Sequence, residues 1–161
     1  MRDFRVGTGF DVHSFAPERK LILGGVAVPY HLGLMGHSDA DVLVHAMMDA
    51  LLGAAGLPDI GNLFPDSDPD YAGADSVGLL AQVWRKVRRL GWSLSNIDSV
   101  IMAEQPKLKV YIPEMIQKLA MTLEAPVEKV NIKATTTEHL GFVGRGEGVA
   151  AQAVVLIYKG T

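Results

Sequence analysis

The sequence contains no cysteine. Disulfide bonds, thiolate zinc sites and cysteine nucleophiles are therefore excluded, and any metal ion must be held by histidine, aspartate or glutamate. The chain also lacks an apolar run of the roughly 18 residues that are needed to span a bilayer. Residues 1–6 show neither the apolar core of a secretory signal nor an Arg/Ser-rich leader free of acidic residues. We therefore expect a water-soluble protein without a membrane partner, which is cytoplasmic or already processed.

An excess of positive charge is also absent. The chain carries 15 Lys and Arg against 18 Asp and Glu, so it lacks the basic field that gathers nucleic acid. The one basic run, residues 85–89, is typical of the solvated end of a helix, where positive charge also suits the helix dipole. We therefore expect no nucleic-acid partner.

Several motifs of other enzyme classes are missing as well. The chain has no G-x-S-x-G elbow and no Walker A sequence, so serine-hydrolase and P-loop mechanisms have no support. A cluster of glycines precedes a predicted strand instead of opening a helix, which argues against a Rossmann phosphate loop. These glycines are Gly141, Gly144, Gly146 and Gly148.

The chain does contain enough apolar residues for one core. Hydrophobic residues make up 48% of the 161 positions and charged residues only 20%, a composition that excludes disorder. The length suits one domain, so we expect a single domain over residues 1–161.

Strand and helix patterns alternate along the chain, which predicts an α/β or α+β fold. The predicted strands are residues 5–13, a glycine-turn hairpin of residues 21–23 and 26–28, and residues 97–103, 130–134 and 149–158. The predicted helices are residues 76–90, a segment from Pro113 to about residue 123, and one that begins at Ser38, with Ser38 and Asp41 as caps, and continues to residue 55. Residues 57–75 are rich in Asp and Pro, and we interpret them as a substrate lid.

Asp11 and His13 are the first candidate metal ligands. Side chains two apart on a strand share a face, so these two can point at one ion while Val12 points the opposite way. His45 lies inside the first predicted helix among apolar neighbours, where its ring nitrogens need partners. Two histidines and one carboxylate leave a fourth position open, as in catalytic zinc sites. The alternative is that His13 and His45 are ordinary hydrogen-bonded histidines.

Further polar residues surround this candidate site. Asp41, His45 and Asp49 form one helical stripe, in which an acid could orient His45, although Asp49 is equally typical of a polar helix face. His37 and Ser38 lie at the predicted helix N-terminus, which favours a phosphate, but Ser38 as a simple cap fits equally well.

The strand end from Lys133 to Glu138 carries three threonines and a carboxylate. These groups can bind phosphate oxygens and hold a second hard cation, although threonines at a strand end are common without either role.

Five segments together resemble one family in their order along the chain. They are GFDVH at residues 9–13, GHSDAD at 36–41, DIG at 59–61, FPDSD at 64–68 and ATTTE at 134–138. With them the sequence closely resembles, nearly end to end, the 2-C-methyl-D-erythritol 2,4-cyclodiphosphate synthases of the non-mevalonate isoprenoid pathway.

The resemblance implies a single cyclodiphosphate synthase domain with a four- to five-stranded sheet, helices packed on one face, and assembly as a homotrimer with sites between neighbouring subunits. A mean hydropathy of +0.19 fits an apolar subunit interface, although apolar surface is also ordinary on a monomer. The implied reaction closes a cyclic diphosphate from a cytidine diphosphate ester of methylerythritol 2-phosphate and releases CMP.

The resemblance also implies roles for individual residues. Zinc would be held by Asp11, His13 and His45, and Mg²⁺ or Mn²⁺ across the diphosphate by Glu138 with substrate oxygens. His37 and Thr136 would stabilise the transition state. The implied substrate-binding residues are Asp11, Val12, His13, His37, Ser38, Asp59, Ile60, Gly61, Phe64, Pro65, Asp66, Ser67, Asp68, Ala103, Glu104, Gln105, Pro106, Lys107, Leu108, Lys109, Thr135, Thr136, Thr137, Glu138, Phe142 and Arg145.

Two rival interpretations use the same residues. A metal-dependent phosphohydrolase would direct a hydroxide at phosphorus. A noncatalytic trimer that binds nucleotide or isoprenoid would use the metal for structure alone.

Overall fold

The computed structural model describes residues 3–65, 67 and 73–160. Its strands are β1 (Asp3–Ala16), β2 (Leu21–Leu23), β3 (Val26–Val28), β4 (Gly33–Leu34), β5 (Ser93–Met102), β6 (Val130–Thr135) and β7 (Gly148–Lys159). Its helices are α1 (Val42–Ala54), α2 (Ile60–Leu63), α3 (Ser76–Arg89), α4 (Ile112–Thr122) and α5 (Gly141–Gly144), with a short 3-10 helix at Val127–Lys129.

Five strands form one mixed sheet in the order β4-β1-β7-β5-β6, and β2 with β3 forms a separate hairpin. The β5–β6 pair is parallel, whereas β1–β4, β1–β7 and β5–β7 are antiparallel. The prediction of a single mixed α/β domain with a four- to five-stranded sheet and helices on one face is confirmed.

Helix α1 lies directly on the sheet and forms the centre of the core. Eleven of its thirteen residues are buried, and it packs on β1 and β7 on one side and on α3 on the other. Gly7 and Gly9 of β1 make this close approach possible. A methyl group on Gly9 would lie only 1.9 Å from the Ala46 carbonyl oxygen, and one on Gly7 would lie 1.9 Å from that of Ala50. The strand and the helix therefore touch backbone to backbone.

The other face of the sheet carries no helix in the described part of the chain and exposes apolar side chains. Because side chains alternate along a strand, Phe4, Val6, Phe10 and Val12 of β1 point away from α1. All four are exposed, as is Val154 of β7. The domain therefore presents one apolar sheet face to its surroundings.

The first predicted helix begins four residues later than expected. Its N-cap is Asp41, whose carboxylate accepts the Val44 N–H, and the helix starts at Val42. Ala40 has a φ of +57°, a left-handed conformation that a right-handed helix cannot include. The prediction of a helix start and cap at Ser38 is therefore wrong, and His37 and Ser38 lie in the preceding loop.

The segment predicted as a structureless lid, residues 57–75, contains the short helix α2. Residues 66 and 68–72 of that segment lie outside the described residues. The two-residue strand β4 and the one-turn helix α5 were not predicted. Among the residues described, no helix combines the length and the apolar composition that crossing a bilayer requires.

Candidate active site

Strand β1 and helix α1 bring Asp11, His13 and His45 together. Asp11 and His13 follow Gly7 and Gly9 on the strand face that packs against α1, while Val12 points to the opposite face and is 44% exposed. Asp11 Oδ2 lies 3.0 Å from His13 Nε2 and 3.0 Å from His45 Nδ1, and the two nitrogens are 3.2 Å apart. The three side chains therefore converge on one point. The i, i+2 spacing predicted a shared face for Asp11 and His13, and His45 joins them from α1.

The ring of His13 is oriented by the backbone of the residues after β4. Its Nδ1 lies 2.6 Å from the Met35 carbonyl oxygen. A carbonyl oxygen only accepts hydrogen bonds, so Nδ1 carries the hydrogen and a neutral ring presents the Nε2 lone pair to Asp11. This backbone contact is the kind that fixes the tautomer of a metal-binding histidine.

The ring of His45 is oriented by two serines. Its Nε2 lies 3.0 Å from Ser76 Oγ and 3.2 Å from Ser38 Oγ, while Nδ1 faces Asp11. The side chains of Asp41 and Asp49, the acids of the predicted helical stripe, bond to other groups in the described structure, although the Asp41 carbonyl accepts the His45 N–H at 3.0 Å. Asp41 is fully buried and accepts the N–H groups of Gly24, Gly25 and Val44, and Asp49 accepts the Ile60 N–H at 2.9 Å.

Burial alone would raise the pKa of Asp11, but the hydrogen bonds and charges of His13 and His45 outweigh it and lower the pKa to about 2. Burial alone would lower the pKa of His13, but the Asp11 carboxylate raises it above its usual value. The two groups thus stabilise each other's charged forms, so Asp11 stays ionised at neutral pH.

The geometry fits a divalent cation. His13 Nε2, His45 Nδ1 and Asp11 Oδ2 face one another across about 3 Å, and all three ligand atoms lie within 4.8 Å of each other. Two imidazole nitrogens with a carboxylate oxygen are a donor set that zinc accepts. These three residues form the candidate metal centre.

A cavity of about 240 Å³ opens over this centre. Its lining includes the predicted substrate residues His37, Ser38, Ile60, Gly61 and Phe64, together with Gly36, Met48 and Leu79. Asp59 does not line it, but caps α2 by accepting the Asn62 N–H at 3.0 Å. Pro65 is partly buried and Ser67 is exposed, whereas Asp66 and Asp68 lie outside the described residues.

The threonine-rich end of β6 forms a second region. Thr136 Oγ1 donates to Glu138 Oε1 at 3.2 Å, and Glu138 is exposed. Glu104 Oε1 accepts the Thr137 N–H at 3.0 Å and the His139 N–H at 3.1 Å, which ties this loop to the end of β5. Both Glu138 and His139 have positive φ angles, so the loop turns sharply here.

Two cavities adjoin this second region. One of about 250 Å³ is lined by Ala103, Pro106, Lys107, Leu108, Lys109, Ala134, Thr135 and Thr136. The other, of about 360 Å³, includes Glu104, Gln105, Thr136 and Arg145 among its lining residues. Arg145 also forms a bidentate pair with Glu147, and Phe142 is 38% exposed beside it on α5. The predicted cytidine-binding segment therefore borders real cavities.

Within one chain the two regions lie apart. Asp11 is level with Ala134 in the sheet, because Asp11 pairs with Ala151, Ala151 with Ile101, and Ile101 with Ala134. Three strand spacings separate them by about 14 Å. His37 lines the first cavity and Thr136 the other two, so none of these cavities contains both predicted transition-state residues.

Two residues beside the metal centre, Ser76 and Asp39, received no role from the sequence. Ser76 contacts His45, and Asp39 contacts Ser76, from positions 31 and 37 residues apart along the chain. No local spacing rule connects such distant positions. The GHSDAD segment, which contains Asp39, was the one available signal.

The fold and this site define a mixed α/β enzyme with a candidate divalent-metal centre. A profile of the YgbB family matches residues 4–158, and the chain belongs to this family. The 2-C-methyl-D-erythritol 2,4-cyclodiphosphate synthase of Desulforamulus reducens is 57% identical over 156 residues, which cover 97% of this chain and 99% of that protein.

Solved structures agree with the family. The bifunctional IspDF of Campylobacter jejuni matches with a TM-score of 0.96 and 47% identity over 99% of this chain, which spans only 43% of that longer protein. The IspF–CDP complex of Plasmodium falciparum matches with a TM-score of 0.86 and 27% identity, over 98% of this chain and 97% of that one.

Proposed function

We propose that this chain is a cyclase that converts 4-diphosphocytidyl-2-C-methyl-D-erythritol 2-phosphate into 2-C-methyl-D-erythritol 2,4-cyclodiphosphate and CMP. The observation that carries the proposal is the convergence of Asp11, His13 and His45 at the base of a cavity, in a chain whose full-length relatives bear the name of this synthase. The alternatives, a phosphohydrolase and a noncatalytic trimer, have no such support.

The reaction depends more on the alignment of the two phosphates than on a strong general base. An oxygen of the 2-phosphate attacks the β-phosphorus, the bond from that phosphorus to the oxygen bridging to CMP breaks, and CMP leaves with the electron pair. The attacking phosphate is already an anion, so no proton needs to be removed from it. The protein must hold two mutually repelling phosphates in line and stabilise the charge that develops.

The residues of the first cavity suit the diphosphate. Asp11, His13 and His45 would hold zinc, which when bound polarises phosphate oxygens and neutralises their charge. His37 is exposed at the cavity wall and Ser38 is half-buried there, so both can reach substrate oxygens. The apolar side chains of Ile60 and Phe64 would cover the methylerythritol carbons.

The residues of the second region suit the nucleotide. The cavity along Ala103 to Lys109 would hold cytidine, in keeping with the CDP present in the Plasmodium falciparum complex. Thr136 would steady the transferred phosphoryl group, and Glu138 would hold Mg²⁺ or Mn²⁺ together with diphosphate oxygens. Glu138 alone offers too few oxygens, so this cation would arrive with the substrate.

A homotrimer would unite the two regions. About 14 Å separates the metal centre from the threonine end within one chain, which is too far for one diphosphate to contact both. The apolar sheet face formed by Phe4, Val6, Phe10, Val12 and Val154 offers a surface for neighbouring copies. We propose that each active site combines the metal region of one subunit with the threonine region of the next.

Mixed oligomers test this assembly. His45→Ala and Thr136→Ala disable different halves, so co-expressed chains should regain activity that neither variant has alone. In a cyclic trimer each mixed ring has one site with both halves intact, so equal random mixing should restore about a quarter of wild-type activity. No recovery in rings shown to be mixed would place each site within one chain.

Product analysis tests the reaction. The purified protein with zinc and magnesium should convert the cytidine substrate into the cyclic diphosphate and CMP in equal amounts. In water enriched in oxygen-18, cyclisation leaves the products unlabelled, whereas hydrolysis puts solvent oxygen on phosphorus. Labelled phosphate would establish the phosphohydrolase instead, and absence of turnover with full ligand binding would favour a noncatalytic protein.

A further inference from the structure

We propose that Asp39 and Ser76 act together as positioning residues that fix His45 in the tautomer whose Nδ1 lone pair points at the metal centre. The inference rests on the metal centre of the proposed function. The two residues do not contact the candidate metal position. They form a chain of hydrogen bonds behind the histidine, on the side of the ring opposite to Asp11.

The direction of this chain follows from counting hydrogens. The Ser76 hydroxyl donates to Asp39 Oδ1, which as a carboxylate oxygen can only accept. Ser76 has one hydroxyl hydrogen, so its oxygen must act as the acceptor toward His45 Nε2 at 3.0 Å. The hydrogen of a neutral His45 ring is therefore on Nε2, and the lone pair is on Nδ1.

Asp39 is itself held in place by the backbone. Its Oδ2 accepts the Ser76 N–H at 3.1 Å, its Oδ1 also accepts the Asp41 N–H at 3.2 Å, and its own N–H donates to the Ala74 carbonyl at 3.1 Å. Ser76 is fully buried at the first position of α3. Neither side chain can turn away without losing several hydrogen bonds, so the chain is rigid before any ligand binds.

Ser38 cannot fix the tautomer by itself. Its Oγ lies 3.2 Å from His45 Nε2 and accepts the Ala40 N–H at 3.2 Å, but no carboxylate receives its own hydrogen in the described structure. The Ser38 hydroxyl can therefore either donate to His45 or accept from it. Asp39 and Ser76 together therefore determine which ring nitrogen of His45 carries the hydrogen.

The tautomer matters because a His45 ring with its hydrogen on Nδ1 would have no lone pair on that nitrogen for a metal ion. With a hydrogen on Nδ1, His45 would donate to Asp11 Oδ2, 3.0 Å away, and the two prospective ligands would satisfy each other. A metal ion would first have to displace that hydrogen. Asp39 and Ser76 favour the ring that leaves both ligand atoms as acceptors, so they keep the centre ready for a cation.

The experiment measures zinc affinity, without substrate, by competition with a chromophoric chelator. Ser76→Ala should weaken zinc binding about ten- to a hundredfold, the range found when partners of metal ligands are removed. Asp39→Ala should weaken zinc binding by a similar factor. The double variant Asp39→Ala/Ser76→Ala should bind zinc about as weakly as either single variant, because the two residues act through one chain of hydrogen bonds. Ser99→Ala is the matched control. Ser99 is another buried serine, with its hydroxyl bonded to the Asn131 carbonyl, and its loss should leave zinc affinity within about twofold of the wild type.

Nitrogen-15 NMR of the metal-free wild type supplies a readout that needs no variant and that a merely structural role would not move. The His45 ring should carry its hydrogen on Nε2, and in Ser76→Ala the Nδ1–H form should become populated. A wild-type ring protonated on Nδ1 alone, a Ser76→Ala protein with unchanged zinc affinity, or a wild type that binds no zinc would each overturn the inference. Failure of the proposed function would show separately, as a zinc-loaded wild type that forms no cyclic product.

Discussion

The metal region and the threonine region of this chain differ in how much of each is assembled within one subunit. Asp11, His13 and His45 are half-buried or buried, and each ring is oriented by further hydrogen bonds. Glu138 is exposed, and its carboxylate accepts one hydrogen bond, from the Thr136 hydroxyl, in the part of the chain that the structure describes. The first region is organised in advance within this chain, whereas the proposed function requires substrate and a neighbouring subunit to complete the second.

Removing a ligand from the assembled region should have the largest effect. His45→Ala should lose most bound zinc and lower turnover more than a thousandfold, because two ligands on one strand make a weak, open site. Zinc analysis of the purified variant and its circular dichroism check the result. His31→Ala, an exposed histidine outside the site, is the control that should keep its zinc. Full zinc content in His45→Ala would remove this residue from the metal centre.

The corresponding substitution in the threonine region should distinguish the role of magnesium from that of zinc. Glu138→Gln should keep zinc but lose magnesium-dependent turnover, and a loss of about 4 kcal/mol of transition-state stabilisation would slow the reaction roughly a thousandfold. Activity against magnesium concentration, with zinc stoichiometry, checks this. Glu128→Gln, on the surface 3-10 helix, is the control. Wild-type turnover and magnesium dependence in Glu138→Gln would contradict the assigned role.

The hydrogen bonds of Asp41, which join α1 to the hairpin, should contribute to the stability of the fold. Asp41→Ala leaves three backbone N–H groups, those of Gly24, Gly25 and Val44, without their acceptor and removes the cap of α1. We expect the free energy of unfolding to fall by about 3 kcal/mol, since each unsatisfied buried donor costs about 1–3 kcal/mol. Urea unfolding measures it, with Asp3→Ala at an exposed strand end as control. A loss below about 1 kcal/mol would mean that the hairpin and α1 are held together by packing alone.

The edge beside the threonine region should show a far smaller effect. The hydrogen bond from Lys133, helped by one from Asn131, lowers the pKa of Asp98 from its usual 3.8. The pair is largely exposed, so Asp98→Asn should cost under about 1 kcal/mol at pH 7. Because the folded-state pKa is the lower one, this stabilisation is complete above about pH 4 and is lost as the pH falls further. Urea unfolding at pH 7 and pH 3 should show that the difference in unfolding free energy between wild type and Asp98→Asn becomes smaller at pH 3. A difference that becomes larger at pH 3 would contradict a lowered pKa of Asp98.

The sequence predicted those features that depend on local spacing. The hairpin around Gly24-Gly25 has the predicted bounds, and the i, i+2 spacing of Asp11 and His13 placed both on one face. The start of α1 was mispredicted because Ala40 adopts a left-handed conformation, for which alanine carries no signal; the next residue, Asp41, bonds to the hairpin through its carboxylate. The role of Ser76 depends on tertiary structure in the same way. The role of Asp49 stayed open in the sequence, because periodicity cannot reveal that its carboxylate binds the Ile60 N–H.

The bare glycine surface of β1 has a consequence for which ions the site admits. Since α1 rests on Gly9 backbone to backbone, the strand and the helix determine how closely the His45 ring approaches Asp11. Two imidazole nitrogens and one carboxylate suit zinc, whereas Ca²⁺ takes about six to eight oxygen ligands, which this set does not supply. We therefore expect zinc to be preferred over Ca²⁺ at this centre, and Gly9→Ala, which forces α1 away from β1, should weaken zinc binding in metal-competition measurements.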